Sequence, residues 1–283
     1  MQATRIAFIG GGNMATAIIE GVRRNQAGAA THAEPPVVVV ADPTAARREA
    51  LASLYAVETA EDNRSAIIGA DVIVLAVKPN QIQSVCAEIQ PVLQANQLVV
   101  SVAAGIGGTV LQRWLGGHVA VVRAMPNTPA MVGCGATGLY ADPALTPTQR
   151  SLAESLLRSV GLVVWIDSEA DMDAVTALSG SGPAYVFLVM EAIESAARTL
   201  GLSAETARLL TLETVYGAAR LAMSADESPA QLRARVTSPN GTTERGIAAL
   251  ETADLRGAFL KALTAAHARS QELGRDLAGE ASR

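Results

Sequence analysis

The fold is decided by the stretch Arg5-Ile-Ala-Phe-Ile-Gly-Gly-Gly-Asn-Met-Ala15-Thr-Ala-Ile-Ile-Glu-Gly-Val22, in which a short apolar run meets three glycines and then a helical pattern. Gly10, Gly12 and Ala15 stand at the positions of the G-x-G-x-x-G/A pattern. The first glycine permits a tight turn, the second lets the backbone approach a pyrophosphate, and Ala15 lets the helix pack closely. Free N–H groups at the helix start attract phosphate. The stretch predicts a dinucleotide site; a purely structural turn is the alternative.

Composition bounds the possible functions. The 283 residues are 49% hydrophobic but only 3% aromatic, which predicts a large aliphatic core and two domains. The net charge of −5 argues against a nucleic-acid partner, because such partners need a basic face. No apolar run approaches the roughly 18 residues of a membrane helix, and the N-terminus does not follow a signal-peptide pattern.

Cysteine and histidine usage argues against a metal site. Cys86 and Cys134 have neither metal-ligand spacing nor a disulfide framework, and the histidines form no H-x-x-x-H pair. We therefore expect two buried free thiols, a reducing cytoplasmic location and no metal.

Strand and helix patterns alternate through the first 170 residues. Predicted strands span 5–9, 37–41, 71–77, 98–102, 119–124, 135–140 and 162–166. Predicted helices between them span 14–24, 45–54, 65–68, 81–94, 110–114 and 147–159. Continuous apolar strands alternating with helices predict a doubly wound parallel α/β sheet, at least through the first five strands.

Only helical periodicity remains after Asp167. The helical segments span 169–178, 184–200, 204–224, 229–236, 243–251 and 254–277. We therefore predict a dinucleotide-binding domain over 1–167 and an all-helical domain over 168–283. The segment 184–200 is apolar on most sides, so a partner subunit is expected to cover it.

Further motifs follow the carboxyl ends of predicted strands. An open parallel sheet binds its ligands at these ends. Ala76-Val-Lys-Pro79 ends the third predicted strand. The stretch Val100–Ile106 ends the next strand with small residues, which leave room for a flat nicotinamide ring. Lys78 is either a cofactor contact or a solvated loop lysine. Asn127 either hydrogen-bonds a ligand or belongs to a rigid turn.

Two loops of the helical half precede helices. They are Leu178-Ser-Gly-Ser-Gly-Pro-Ala184 and Thr237-Ser-Pro-Asn-Gly-Thr-Thr-Glu244. Hydroxyl and N–H groups at a helix start form an anion pocket, although simple N-capping explains either loop alone. Beside a dinucleotide domain, they suggest a small carboxylate substrate.

The chain resembles the pyrroline-5-carboxylate reductase family in four motifs: Ile9–Ala15, Ala76–Pro79, Leu178–Tyr185 and Val236–Thr243. The resemblance runs from Arg5 to Gly274. It implies a Rossmann domain followed by a helical domain that dimerises, often within a decamer. It also implies an oxidoreductase of proline biosynthesis that reduces a cyclic imino acid, 1-pyrroline-5-carboxylate, with NADPH or NADH.

The resemblance also implies roles for individual residues. Its cofactor-binding positions are Gly10, Gly12, Asn13, Met14, Asn63, Ala76, Val77, Lys78 and Ala104. Its carboxylate cradle comprises Ser238, Gly241, Thr242 and Thr243. Glu169 and Thr176 match positions near the substrate ring, and Thr176 is the expected hydrogen-bond partner of the ring nitrogen.

The chain departs from the family pattern at Asn240 and Asp42. Asn240 replaces the usual glycine, but Asn tolerates a left-handed backbone, so we expect the loop to keep its form. Asp42 ends the second predicted strand, where an acid favours a free ribose hydroxyl and repels a 2′-phosphate. Alternatively, Asp42 only caps the next helix, and Arg47 or Arg48 either compensates its charge or lies on the helix surface. The choice between the two coenzymes stays open.

The expected reaction needs little acid–base chemistry, because the carbon of a protonated C=N bond is already electrophilic. Catalysis then rests mainly on positioning, with a coenzyme half-site and a carboxylate half-site facing each other. A β-hydroxyacid dehydrogenase-like enzyme is the second hypothesis; it needs a lysine of the helical half, and only Lys261 is available. A non-catalytic cofactor sensor is the third.

Overall fold

The computed structural model describes residues 3–28, 34–141 and 145–280. Contacts between elements define two compact units: residues up to 181 together with those from 266 onward, and Gly182–Ala265. Within the first unit, the Ser270 hydroxyl donates to the Asp173 carboxylate at 2.6 Å. The contact-based units thus differ from the functional division between 167 and 168, which stays a prediction.

The first unit contains one sheet of eight described strands. They are β1 (Arg5–Ile9), β2 (Val37–Ala41), β3 (Glu58–Ala60), β4 (Val72–Leu75), β5 (Leu98–Ser101), β6 (Ala120–Met125), β7 (Gly135–Ala141) and β8 (Gly161–Trp165). Their spatial order is β3-β2-β1-β4-β5-β6-β7-β8. The strands from β3 to β6 are parallel, β7 is antiparallel to β6, and β8 is parallel to β7. The predicted doubly wound sheet is therefore confirmed, with the 3-2-1-4-5-6 order of a dinucleotide-binding fold.

Helices cover this sheet and form the second unit. The described helices are α1 (Asn13–Gly28), α2 (Ala45–Tyr55), α3 (Asn63–Ile67), α4 (Ile82–Ile89), α5 (Gly108–Trp114), α6 (Pro147–Arg158), α7 (Met172–Val175), α8 (Gly182–Thr199), α9 (Ala204–Ser224), α10 (Pro229–Arg235), α11 (Thr242–Thr252) and α12 (Leu255–Glu280). The predicted all-helical second part is confirmed.

Three local predictions are corrected. Strand β3 was not predicted, because Glu58-Thr-Ala60 is a short edge strand without an apolar run. The predicted helix 81–94 keeps α-helical form only over α4, since Pro91 lacks a backbone donor and a 3₁₀ turn follows. The predicted break after Leu178 falls in a π-helical turn, Thr176–Gly180, that continues α7.

The core lies on both faces of the sheet. Along β1, Ile6 and Phe8 pack into one apolar cluster while Ala7 and Ile9 pack into the other. Burial on two faces explains why the strands read as continuous apolar runs. Cys86 is buried as predicted, and burial raises the pKa of its thiol to about 12. Cys134 is exposed, so its predicted burial is wrong.

Helix α8 of the second unit has no buried residue within this chain. Its exposed apolar side chains are Val186, Phe187, Leu188, Val189 and Ile193. An apolar patch of this kind on a stable helix is typical of a surface that another protein covers.

Candidate active site

The glycine turn joins the ends of three strands. Gly10 has φ +96°, and its N–H donates to the carbonyl of Ala41 at 2.8 Å. A Cβ on Gly10 would lie 2.8 Å from the carbonyl oxygen of Ala76. Around Gly12, by contrast, a Cβ would meet no atom within 4 Å. The turn is therefore tight at its first glycine and open at its second, which fits a bound pyrophosphate.

Helix α1 starts directly after this turn. Asn13 is exposed at its first position and Met14 is half-buried, whereas Ala15 is fully buried in the core. The first-turn N–H groups have no carbonyl of the helix to bond, so the helix start offers donors to an anion beside Gly12.

Asp42, at the end of β2, holds the glycine turn. Its Oδ2 accepts from the Gly11 N–H at 2.9 Å and lies 3.1 Å from Nη1 of Arg47. Its Oδ1 accepts from the Thr44 N–H at 2.9 Å. Burial raises the pKa of this carboxyl, but the three donors outweigh burial, so the pKa lies below its ordinary value. Asp42 thus caps the backbone before α2 and also anchors the turn.

Residues after β4 form the other wall of the crevice where the strand order reverses. Val77 contacts the turn, since a Cβ on Gly10 would lie 2.9 Å from its Cγ1. Lys78 is exposed, and within the described residues its ammonium has no hydrogen bond or ion pair. Asn63, after β3, instead donates to Glu88 at 2.7 Å. Its predicted cofactor contact would have to use the amide oxygen or replace that bond.

The loop after β5 is supported by α12. Gly105 has φ +80°, and a Cβ on Gly274 would lie 3.0 Å from the Gly105 carbonyl oxygen. Leu277 packs against the core cluster that contains Ala103 and Ile106. This support fixes the loop containing Ala104, a predicted nicotinamide neighbour. This support was not predicted from the sequence, where the available signal was a glycine inside a helix, a position that disfavours glycine.

Glu169 is engaged in structural contacts. Its Oε1 accepts from the Gly108 N–H and from Nη1 of Arg123, each at 2.6 Å. These bonds tie the connection after β8 to the start of α5 and to β6. The predicted position near the substrate ring stays a prediction.

Thr176 opens the π-helical turn. Its hydroxyl donates to the Met172 carbonyl at 2.9 Å, so the lone pairs of its oxygen remain available to a donor. Asn127 is buried, donates to the Ser179 carbonyl at 3.0 Å and accepts from the Ala136 N–H at 2.9 Å. The structure thus favours the rigid-turn interpretation of Asn127 and joins that turn to the π-helical segment.

The predicted carboxylate cradle lies at the start of α11 in the second unit. Asn240 has φ +58°, as expected, and its N–H donates to Glu244 at 2.9 Å. The Gly241 N–H donates to the Ser238 carbonyl at 3.0 Å. The exposed hydroxyls of Ser238, Thr242 and Thr243 make no hydrogen bond within the described residues. The loop is therefore ordered by backbone contacts while its hydroxyls stay free for a ligand.

Three further observations concern Lys261, metal ligands and membrane helices. Lys261 is 81% exposed and lies 4.0 Å from Asp254, as an ordinary surface ion pair. In the part of the chain that the structure describes, no three His, Cys, Asp or Glu residues are grouped as metal ligands. None of the described helices has a hydrophobic stretch of the length that spanning a bilayer requires.

The sheet order, the glycine turn and the open crevice define a dinucleotide-binding α/β protein. Residues 5–105 match a family model described as NADP oxidoreductase coenzyme F420-dependent, and residues 169–273 match one described as pyrroline-5-carboxylate reductase dimerisation. The pyrroline-5-carboxylate reductase of Pseudomonas aeruginosa is 47% identical over 98% of this chain and 99% of its own. The chain belongs to the pyrroline-5-carboxylate reductase family.

Solved structures agree with this assignment. A pyrroline-5-carboxylate reductase from Coxiella burnetii has a TM-score of 0.90 and 47% identity, covering 96% of this chain and 99% of that one. The Plasmodium falciparum pyrroline carboxylate reductase, crystallised with NADP bound, has a TM-score of 0.83 and 29% identity, covering 97% and 99%.

Proposed function

We propose that this enzyme reduces the C=N bond of 1-pyrroline-5-carboxylate to give L-proline, the last step of proline biosynthesis. The observation that carries the proposal is the 47% identity to a reductase of that name over nearly the whole of both chains. NADPH or NADH, when bound, supplies the hydride that reaches C5 of the substrate. The tight Gly10 and the open Gly12 support the dinucleotide site.

The cofactor residues act by position and charge. The backbone at Gly12, Asn13 and Met14 receives the pyrophosphate, since it combines open space with unbonded helix N–H groups. Ala76, Val77 and Lys78 line the ribose and nicotinamide end together with Ala104. The Lys78 ammonium, which has no partner among the described residues, adds positive charge beside an anionic ligand. Asn63 is the weakest member of this set, because Glu88 already engages its amide.

The loop before α11 binds the substrate carboxylate. Three hydroxyls that are free within the described residues lie at the start of an 11-residue helix, whose partial positive charge favours an anion. Gly241 shapes the turn beside them through its bond to the Ser238 carbonyl. The left-handed Asn240 and the Glu244 bond keep this loop in shape without using those hydroxyls.

Thr176 stabilises the reactive form of the substrate. Because its hydroxyl proton is directed to the Met172 carbonyl, the oxygen is set to accept a hydrogen bond from the protonated ring nitrogen. Such an acceptor favours the iminium ion, the form with the more electrophilic carbon. Glu169 contributes indirectly, by fixing the chain that leads to Thr176.

The enzyme acts as a homodimer through its helical part. The exposed apolar side chains of α8 and the match of residues 169–273 to a dimerisation model support this assembly. A decamer of such dimers remains a prediction from the family resemblance. The cytoplasm remains the predicted compartment, on the basis of two unpaired cysteines.

The test is NADPH and NADH oxidation with 1-pyrroline-5-carboxylate, beside a 3-hydroxy acid with the oxidised coenzymes as control. Turnover of the imino acid alone is expected. Thr243→Ala should raise KM for the imino acid by about 10-fold, the cost of a hydrogen bond to a charged group, with little change for the coenzyme. Equal effects on both would reject the cradle, and turnover of only the 3-hydroxy acid would reject the function.

A further inference from the structure

Asp42 occupies the position from which an acid reads the adenine ribose in many dinucleotide-binding sheets. Here its side chain is only 4% exposed, and both carboxylate oxygens are engaged by Gly11, Thr44 and Arg47. An acid that reads ribose hydroxyls must reach the ligand with its carboxylate. This carboxylate is buried and already accepts hydrogen bonds from two backbone N–H groups and from Arg47.

Arg47 compensates the charge of Asp42 and extends past it. Its Nη1 lies 3.1 Å from the Asp42 carboxylate, while the side chain is 50% exposed. Its alkyl stem passes over the glycine turn, since a Cβ on Gly11 would lie 3.2 Å from its Cδ. Within the described residues, its other N–H donors have no partner.

The neighbouring arginine is differently placed. Arg48 is 15% exposed, donates to the Asp42 carbonyl at 2.7 Å and lies 3.7 Å from Glu61. Arg48 is therefore largely buried and bonded to the backbone, whereas half of the Arg47 side chain is exposed. Of these two arginines, Arg47 is the one placed to face a ligand at this end of the crevice.

We propose that Arg47 receives the 2′-phosphate of NADPH and that Asp42 serves as a clamp for the glycine turn, so that the enzyme prefers NADPH although an acid ends β2. This inference rests on the proposed function only in requiring a dinucleotide at the turn. Arg47 retains N–H donors with which its planar guanidinium can bind a phosphate. Its pairing with Asp42 removes the repulsion that an unpaired carboxylate would impose on that phosphate.

The experiment measures coenzyme affinity of the full chain without substrate, by the fluorescence of NADPH and NADH. The variants are Arg47→Gln, Arg47→Lys and the control Arg158→Gln. Arg158 is 53% exposed and paired with Glu154 within α6, which makes it a matched arginine away from the turn. Adenosine 2′,5′-bisphosphate and adenosine 5′-monophosphate, used as competitors, isolate the contribution of the phosphate.

The wild type is expected to bind NADPH more tightly than NADH. Arg47→Gln should weaken NADPH and the bisphosphate by about 10-fold or more while leaving NADH within about twofold, as for loss of a charge-assisted hydrogen bond. Arg47→Lys should recover part of the loss, and Arg158→Gln should change neither. Equal loss for both coenzymes, or tighter binding of NADH by the wild type, would overturn the assignment. Failure to bind either coenzyme would overturn the proposed function as well.

Discussion

Gly10 and Gly12 lie two residues apart, yet a side chain should have different consequences at the two positions. At Gly10 it should lower the stability of the fold, and at Gly12 it should weaken coenzyme binding. Gly10 has φ +96°, and its Cβ would lie 2.8 Å from Ala76 O and 2.9 Å from Val77 Cγ1. Gly12 has a φ outside the left-handed region and open space around its Cβ. The first position therefore tests the fold, and the second tests the coenzyme site.

The magnitudes follow from these contacts. In Gly10→Ala, the backbone conformation costs about 1–3 kcal/mol and the overpacking about 1–3 kcal/mol. A total of about 2–6 kcal/mol is a large part of a typical unfolding free energy. Gly12 is the N-cap residue of α1, and Gly12→Val should lower the free energy of unfolding by less than about 1 kcal/mol. The valine occupies the space of the pyrophosphate, so NADPH binding should weaken by about 10- to 100-fold.

Two measurements separate these effects. Urea denaturation followed by far-UV circular dichroism gives the free energy of unfolding, and fluorescence titration gives the dissociation constant of NADPH. Gly279→Val is the control, because its Cβ also meets no atom within 4 Å but lies near the end of α12. Normal NADPH affinity in Gly12→Val would refute the assignment of the coenzyme pyrophosphate to the glycine turn. Wild-type stability in Gly10→Ala would refute the described turn.

Three further changes test other parts of the account. Thr176→Val should lower kcat about 10-fold at unchanged KM for NADPH, by removing the acceptor for the ring N–H; Thr176→Ser should restore kcat, and a normal valine variant would exclude the role. Because the folded-state pKa of Asp42 is depressed, its stabilisation is present above the unfolded pKa of about 3.9 and is lost as pH falls through the lower folded value. Asp42→Asn should therefore lower the unfolding free energy by about 2 kcal/mol at pH 7, and denaturation at acidic pH should show this deficit shrinking; a deficit independent of pH would contradict the clamp. Phe187→Glu should reduce the mass measured by light scattering to that of one 29.1 kDa chain, and an unchanged assembly would show that α8 lies outside the interface.

The regular elements could be predicted because their signals are local. The helical pattern predicted 204–224, and α9 spans Ala204–Ser224, with Ser203 as its N-cap. Strand β3 lacked such a signal, because Glu58-Thr-Ala60 has no apolar pattern of its own. It forms a strand by pairing with β2 at the edge of the sheet.

The contacts of single residues were less accessible to sequence reasoning. The sequence left two interpretations of Asp42 open, because its bond to Gly11 joins positions 31 residues apart. Glu169 was matched by resemblance to a position near the substrate ring, yet its observed bonds go to Gly108 and Arg123, which only the folded sheet brings together. Motifs thus locate a site, whereas the partners of each side chain depend on long-range packing.

The proposed reaction transfers a hydride from a nicotinamide coenzyme onto the imine carbon of a cyclic amino-acid precursor. The most direct measurement uses coenzyme deuterated at the transferable C4 position, followed by nuclear magnetic resonance of the product. We expect L-proline with a single deuterium at C5. Unlabelled proline, a label at another carbon, or oxidised coenzyme without proline would contradict it.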